Sequence, residues 1–201
     1  MLLEFSATNF RSIYKTQTLS LIASSSKELI ETNTCKLENS KLKAVRSAVI
    51  YGANAAGKSN LLRSISYAQW FITNSANLQE GGGTFVSPFL FSTNAQNEPT
   101  EFEFLFIEGG IRYHYYFALT KERITKEWLV AYPHNKPQRW FEREYDKKLQ
   151  RYNWFIGVNF KGEKAQHAVW KDSTRANALF LSTAILLNND QLKPCLLYTS
   201  D

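Results

Sequence analysis

Eight consecutive residues in the first third of the chain have the types and spacing of a phosphate-binding loop. They fit the pattern GxxxxGK[ST] and are Gly52, Ala53, Asn54, Ala55, Ala56, Gly57, Lys58 and Ser59. A phosphate chain needs several backbone N–H donors that point inward together, and glycine permits the tightly turned backbone that presents them. Lys58, the candidate catalytic residue, would place its charge on the β- and γ-phosphates, and the Ser59 hydroxyl would coordinate Mg²⁺. These residues predict binding of a nucleoside triphosphate, with ATP and Mg²⁺ as the expected ligands.

Two elements must position this loop. The β-branched run at residues 45–51 predicts a buried strand that stops at Gly52, and residues 58–76 predict a helix. The apolar stripe of this helix consists of Leu61, Ile65, Ala68 and Ile72, with Leu62 widening it. Because the helix would begin at the loop, the positive end of its dipole would also face the bound anion.

The rest of the sequence predicts mainly antiparallel β-structure. Aromatic residues alternate with other types on both sides of Gly109-Gly110, which predicts a hairpin over residues 101–119. Further strands are predicted at residues 3–10, 18–23, 124–132, 138–145 and 149–156. Residues 24–43 are polar and predict a surface loop. A last helix is predicted over residues 173–188, with Asp172 as its N-cap.

Composition limits the class of protein. The 201 residues suffice for one domain with a core, and no apolar run approaches the roughly 20 residues of a membrane helix. The N-terminus lacks a signal peptide, so a cytoplasmic protein without membrane contact is expected. Two cysteines without a CxxC pair and three histidines without ligand spacing argue against a disulfide framework or a zinc site. The net charge of +6 permits an acidic partner.

Several further motifs support a resemblance to a known family. Asn9-Phe10-Arg11-Ser12, followed by the loop and by Asn60-Leu61-Leu62, resembles the RecF/SMC-like branch of ABC-type ATPases. The sequence is most similar to the bacterial stand-alone AAA-family ATPases, several of which act in anti-phage defence. The resemblance extends over about residues 1–189, and its shorter matches are residues 87–89, 127–129, 138–142 and 175–182.

This resemblance implies an α/β fold, namely a P-loop NTPase with an ABC/SMC-like head. The chain would form the N-terminal lobe of that head, with residues 101–160 as an antiparallel β-rich arm. Arg11 and Ser12 would lie beside the phosphates, and Asn54 and Asn60 would belong to the nucleotide-binding region. Because two heads of this family sandwich ATP between them, the expected partners are a second copy of the chain and either an effector protein or DNA or RNA.

Two motifs of the family are missing from the sequence. These are the LSGG-like signature and the Walker B strand, whose acids hold Mg²⁺ and polarise the attacking water. Residues 105–108 end in an acid but belong to the hairpin, and residues 185–190 belong to the last helix. Residues 194–201 fit neither a helix nor the family, which suggests that the natural reading frame was cut near Leu192. We therefore expect residues 1–193 to form a partial ATPase domain that binds nucleotide weakly and hydrolyses ATP slowly or not at all.

Three other interpretations compete with the ATPase. A small-molecule kinase would use the same loop, but no Arg-rich lid follows it, and an ABC transporter subunit is disfavoured by the early NFRS strand. A nucleic-acid-binding module is the third, because residues 121–164 interleave eleven Lys/Arg and six Asp/Glu with aromatic residues. The favoured alternative for this stretch is a folded sheet with aromatics inward and Lys/Arg in water. Charge reversal of Arg139, Arg143 and Lys147 would distinguish the two.

Overall fold

The computed structural model describes residues 1–26, 28–37 and 42–197. The strands are β1 (Leu2–Thr8), β2 (Gln17–Ser20), β3 (Thr34–Lys36), β4 (Lys43–Val45), β5 (Thr100–Glu108), β6 (Ile111–Leu119), β7 (Ile124–Tyr132), β8 (Gln138–Asp146) and β9 (Arg151–Ile156). The α-helices are α1 (Ile30–Asn33), α2 (Lys58–Asn74), α3 (Thr93–Asn97), α4 (Lys164–Asp172), α5 (Phe180–Leu186) and α6 (Lys193–Leu197). Among the described residues, no helix has the length and apolar character needed to cross a bilayer.

Seven of the described strands form one antiparallel sheet in the order β2-β1-β5-β6-β7-β8-β9. Strand β1 lies inside this sheet, where Phe5 opposes Leu19 on one side and Phe104 on the other. Gly109 and Gly110 have φ angles of 55° and 72°, so the β5–β6 turn uses the conformation that glycine adopts without strain. The predicted hairpin is therefore confirmed, and the α/β class holds in its coarse form, with a mostly antiparallel sheet.

The stretch at residues 101–160 is antiparallel and β-rich, as predicted. Strand β5 of this stretch pairs with β1 along most of its length, so the stretch continues the sheet that the N-terminal strands begin. Alternate side chains of β5 and β6 fill the core on one face, namely Phe102, Phe104, Phe106, Tyr113, Tyr115 and Phe117. The predicted loop at residues 24–43 contains α1, β3 and the start of β4. Its residues 27 and 38–41 lie outside the described residues.

Helix α2 packs on the sheet and carries the loop at its N-terminus. Ala68, Phe71 and Ile72 are buried in the same cluster as the phenylalanines of the sheet. The predicted helix is confirmed to within two residues at its C-terminal end. Leu62, however, is 55% exposed and does not widen the apolar stripe. It follows Leu61 by one position, which rotates it about 100° away from the buried face.

The prediction of one helix over residues 173–188 is wrong at its start. Asp172 is the last residue of α4 and caps nothing at the start of α5, which begins at Phe180. The buried Glu127 carboxylate of β7 accepts hydrogen bonds from the backbone N–H groups of Phe180 at 2.8 Å and Leu181 at 3.0 Å. These bonds satisfy two of the donors that a helix start leaves unpaired. The bonded residues are 53 and 54 positions apart in the sequence. A pattern within the helix segment therefore cannot predict this helix start.

The end of the described chain is helical, which contradicts the expectation that residues 194–201 fit no helix. Helix α6 follows α5 closely, and Cys195 is only 2% exposed within the main core cluster. Residues 198–201 lie outside the described residues. The interpretation of this tail as the product of a cut reading frame stays a prediction.

Candidate functional site

The predicted phosphate-binding loop forms an exposed turn that leads directly into α2. Ala55 and Gly57 both have positive φ, of 63° and 93°. Gly57 is the residue that precedes the helix, and a Cβ there would come within 3.6 Å of the Ser12 Oγ. Glycine is favoured at this position because any other L-residue would be strained at this φ. The backbone of the loop is thus held in the turned conformation that the motif requires.

The predicted strand before the loop is not formed. Strand β4 ends at Val45, and residues 46–49 are exposed without regular structure. Val49 is 70% exposed and Tyr51 88% exposed, so the prediction of a buried strand at residues 45–51 is wrong for the described structure. A run of β-branched residues forms a strand only where a neighbouring strand pairs with it through backbone hydrogen bonds. Within residues 1–26, 28–37 and 42–197, no strand pairs with residues 46–51.

The Lys58 ammonium bonds to the loop itself. Its Nζ donates to the carbonyl oxygens of Gly52 at 2.6 Å and Ala53 at 2.7 Å. The lysine therefore folds back from the first position of α2 over the start of the loop. A phosphate that bound there would exchange these carbonyl contacts for stronger, charge-assisted hydrogen bonds to the ammonium. The role of Lys58 in binding phosphate stays a prediction of the motif.

The N-terminus of α2 offers the remaining donors. The helix is 17 residues long, and no side chain caps its first turn in the described structure. Its N-terminal N–H groups and dipole therefore favour an anion at this point. Ser59 is exposed in the first turn, where its hydroxyl could serve as a Mg²⁺ ligand. These donors suit a phosphate chain, and Ser59 would supply one ligand of the several that a Mg²⁺ ion needs.

A turn near the N-terminus places Ser12 against the loop. Phe10 and Ile13 exchange backbone hydrogen bonds of 2.8 Å, so this segment reverses direction tightly. Asn60 donates from Nδ2 to the Ser12 Oγ at 2.6 Å, which ties the turn to the first turn of α2. Ser12 and Asn60, two of the predicted site residues, therefore lie beside the loop and contact one another.

Arg11, which the resemblance places beside the phosphates, stays a predicted site residue, and its contacts in the structure are with Ser87 and Phe10. Its backbone N–H donates to Ser87 at 2.8 Å, and its guanidinium lies 5.7 Å from the centre of the Phe10 ring. Arg11 is exposed and does not line the cavity beside the loop. Its φ of 51° is in the left-handed region, as is that of Asn9.

Asn9 is the residue of this region that sequence reasoning missed. It is 3% exposed, and its amide nitrogen lies within hydrogen-bond distance of the carbonyl oxygens of Ala95 at 2.6 Å and Glu98 at 3.0 Å. Its Oδ1 accepts from the backbone N–H of Phe89 at 3.0 Å. Asn9 also has a positive φ of 53°, a conformation that asparagine tolerates better than most residues. It therefore acts as a clamp that fixes the Ser12 turn to the segment around α3.

A cavity of about 490 Å³ lies next to the loop. This volume falls within the range of roughly 300–1,000 Å³ that small-molecule sites occupy. Its lining combines loop residues with the N-terminal turn and comprises Ser12, Ile13, Tyr14, Gln17, Ile50, Tyr51, Ala55, Ala56, Gly57, Lys58 and Leu61. No carboxylate belongs to this lining. In the part of the chain that the structure describes, no group of three His, Cys, Asp or Glu residues could hold a metal ion either.

The basic and aromatic stretch at residues 121–164 is largely built into the sheet. Trp140, Phe141 and Phe160 are buried, and Arg143 is fully buried against Glu127. Arg139 pairs with Glu142 and lies 4.5 Å from the centre of the Phe155 ring. This arrangement agrees with the interpretation as a folded sheet with inward aromatics. Reversing Arg143 would disrupt the core, so that variant cannot test nucleic-acid binding.

A glycine-turned loop, a lysine at the helix start and a serine beside it define the P-loop nucleotide-binding class. Residues 47–186 match the family model described as "AAA domain, putative AbiEii toxin, Type IV TA system". The matched residues make up well over half of the 201-residue chain. The chain belongs to this family of AAA domains. No curated protein matches the chain.

Family membership supports a nucleotide-binding P-loop ATPase, a class that typically uses Mg²⁺ with its nucleotide. Membership of this family favours an ATPase over a small-molecule kinase as the class of protein to which the loop belongs. The individual site residues are predictions that rest on the motif and on the geometry described above.

Proposed function

We propose that this chain binds ATP with Mg²⁺ through the loop at residues 52–59 and acts as the nucleotide-driven part of a RecF/SMC-like ATPase. One observation carries the proposal: Lys58, the N-terminus of α2 and the Ser12 turn converge on one cavity beside a glycine-turned loop. The triphosphate would lie against the start of α2, where the backbone N–H groups and the ammonium complement its charge. Ser59 would hold the Mg²⁺.

Hydrolysis requires a group that the cavity does not supply. An acidic residue must help to hold Mg²⁺ and polarise the attacking water, and the lining contains no Asp or Glu. The proposed ATPase would obtain this acid from a residue outside this lining. Val49 and Tyr51, directly before the loop, are 70% and 88% exposed, so apolar surface beside the motif is open to contact with another molecule.

In this account, nucleotide binding switches contacts with other molecules. A second copy of the chain is the proposed partner across the nucleotide, and an effector protein, in a toxin or anti-phage system, is the proposed target. Nucleic-acid binding has less support, because Arg139 and Arg143 have partners within the fold. Exposed Lys147 and Lys121, which line a separate cavity with Arg123, are the residues that such an interaction would use.

The experiment that tests the proposal measures binding and turnover on the same sample. Calorimetry with ATP and with GTP, each with and without Mg²⁺, is combined with phosphate release. We expect Mg²⁺-dependent binding of ATP with almost no turnover. Absence of nucleotide binding would contradict the proposal. Rapid turnover would show that the chain supplies its own acid, and the account of the incomplete site would then be wrong.

A further inference from the structure

The lining of the cavity beside the loop includes apolar and aromatic side chains as well as loop residues. Its loop residues provide the donors for phosphate, whereas Ile13, Ile50 and Leu61 provide aliphatic surface. Two tyrosines, Tyr14 and Tyr51, add aromatic rings to the same lining. A triphosphate alone has no apolar portion, so it would leave this surface unused. The lining is therefore suited to a ligand that joins an anionic chain to a flat, aromatic group.

Tyr14 is the ring in this lining that the fold holds in place. Its backbone carbonyl accepts a hydrogen bond from the Asn9 N–H at 3.2 Å, next to the pair of hydrogen bonds between Phe10 and Ile13. The ring packs on Phe89, with centroids 5.1 Å apart and planes at 31°. It nevertheless remains 43% exposed. Tyr14 is therefore both supported from within the fold and accessible from the cavity.

We infer that Tyr14 is the platform on which the base of the bound nucleotide stacks. This inference rests on the proposed function and adds the recognition of the base to that of the phosphates. Aromatic side chains stack on nucleobases of any sequence, because every base presents a π-face. Tyr51, 88% exposed in the same lining, is the second ring that the base can meet. The site would therefore prefer a nucleoside triphosphate to an inorganic triphosphate, with little discrimination between adenine and guanine.

The test compares ATP with inorganic tripolyphosphate, both with Mg²⁺, in calorimetric titrations of the whole chain. The variants are Tyr14→Ala, Tyr14→Phe and Lys58→Ala. Phe91→Ala is the matched control, since Phe91 is an exposed aromatic residue 5.8 Å from the Phe89 ring and outside the cavity lining. Thermal unfolding without ligand establishes that each variant is folded.

For Tyr14→Ala, we expect ATP affinity to fall on the order of 5- to 140-fold, with tripolyphosphate affinity unchanged. Tyr14→Phe keeps the ring and should retain ATP affinity, as should Phe91→Ala. Equal affinity of Tyr14→Ala and wild type for ATP, or an equal loss for both ligands, would overturn the inference.

Lys58→Ala separates this inference from the proposed function. If Lys58→Ala weakens binding of both ligands while Tyr14→Ala has no effect, the phosphate site stands and only the base platform is wrong. If wild type binds neither ligand, the proposed function fails and the platform fails with it.

Discussion

The buried Glu127 carboxylate joins strand β7 of the sheet to the start of helix α5. Its oxygens accept hydrogen bonds from the Tyr115 hydroxyl at 2.9 Å, from Arg143 Nε at 2.8 Å and from the first N–H groups of α5. The side chains of Glu127 and Arg143 are both 0% exposed. Helix α5 in turn contacts α2 through Ser182, whose hydroxyl bonds to the Ile72 carbonyl. Glu127 is thus linked to α2 through two successive contacts, by way of α5.

Replacing Glu127 by Gln keeps the shape of the side chain and changes its bonding. The new amide keeps one acceptor oxygen, but its NH₂ group would face donors, namely Arg143 Nε–H and the Phe180 N–H. The Arg143 charge would also remain buried without a counterion. Breaking one partner of a buried ion pair costs roughly 3–5 kcal/mol. Because a domain is stabilised by only about 5–15 kcal/mol, this single change should remove a large share of the free energy of unfolding.

Urea unfolding followed by tryptophan fluorescence measures this loss. Glu142→Gln is the matched control, because its partners Arg139 and Lys126 have side chains 53% and 34% exposed. Such surface pairs contribute only about 0–1 kcal/mol. Adding Arg143→Met to Glu127→Gln should recover part of the loss, since the uncompensated charge is removed. Equal free energies of unfolding for Glu127→Gln and Glu142→Gln would refute the reasoning.

Three further predictions concern the core. Ile72→Ala should lower the free energy of unfolding by roughly 2–5 kcal/mol, because Ile72 is buried, whereas Leu62→Ala should change it little. Similar losses for the two variants in urea titrations would contradict the assignment of the buried helix face. Burial raises the pKa of the Cys195 thiol, so a thiol reagent should modify half-buried Cys35 in the native protein and Cys195 only in urea. Native labelling of Cys195 would show that α6 does not belong to the fold. Burial also raises the pKa of Tyr67 above its ordinary value of 10.0. The folded state therefore holds the Tyr67 proton more tightly than the unfolded state does. The stability that protonated Tyr67 contributes to the folded state is present below pH 10 and is lost as the pH rises further. Tyr67→Phe should flatten the fall in unfolding midpoint above that pH, and an unchanged slope would contradict this assignment.

Much of the local structure could be predicted because its causes are local. The helix after the loop follows from the spacing of Ala68 and Ile72, and the β5–β6 hairpin follows from alternating aromatics around Gly109-Gly110. Each pattern lies within one or two neighbouring elements, so the sequence contains the whole signal.

The predictions that failed depend on contacts between distant residues. The start of α5 is set by Glu127, far away in sequence, and the run at residues 46–51 has β-propensity without a described neighbour to pair with. In the site, the loop was predicted from its motif, and Ser12 came from the resemblance. The clamp by Asn9 and the position of Tyr14 arise from packing against residues 87–99. These contacts join residues 75 or more positions apart, so no local pattern in the sequence indicates them.

The most direct test of the central claim is calorimetric titration of Mg²⁺-ATP into wild type, Lys58→Ala and Lys121→Ala. Lys121 is an exposed lysine that does not line the cavity beside the loop, so its removal controls for the loss of one positive charge. A hydrogen bond to a charged group contributes about 1.5–3 kcal/mol, which corresponds to a loss of about 10- to 100-fold in affinity for Lys58→Ala. We expect that loss for Lys58→Ala, with wild-type affinity for Lys121→Ala. Equal affinities for all three proteins would contradict the assignment of residues 52–59 as the nucleotide site.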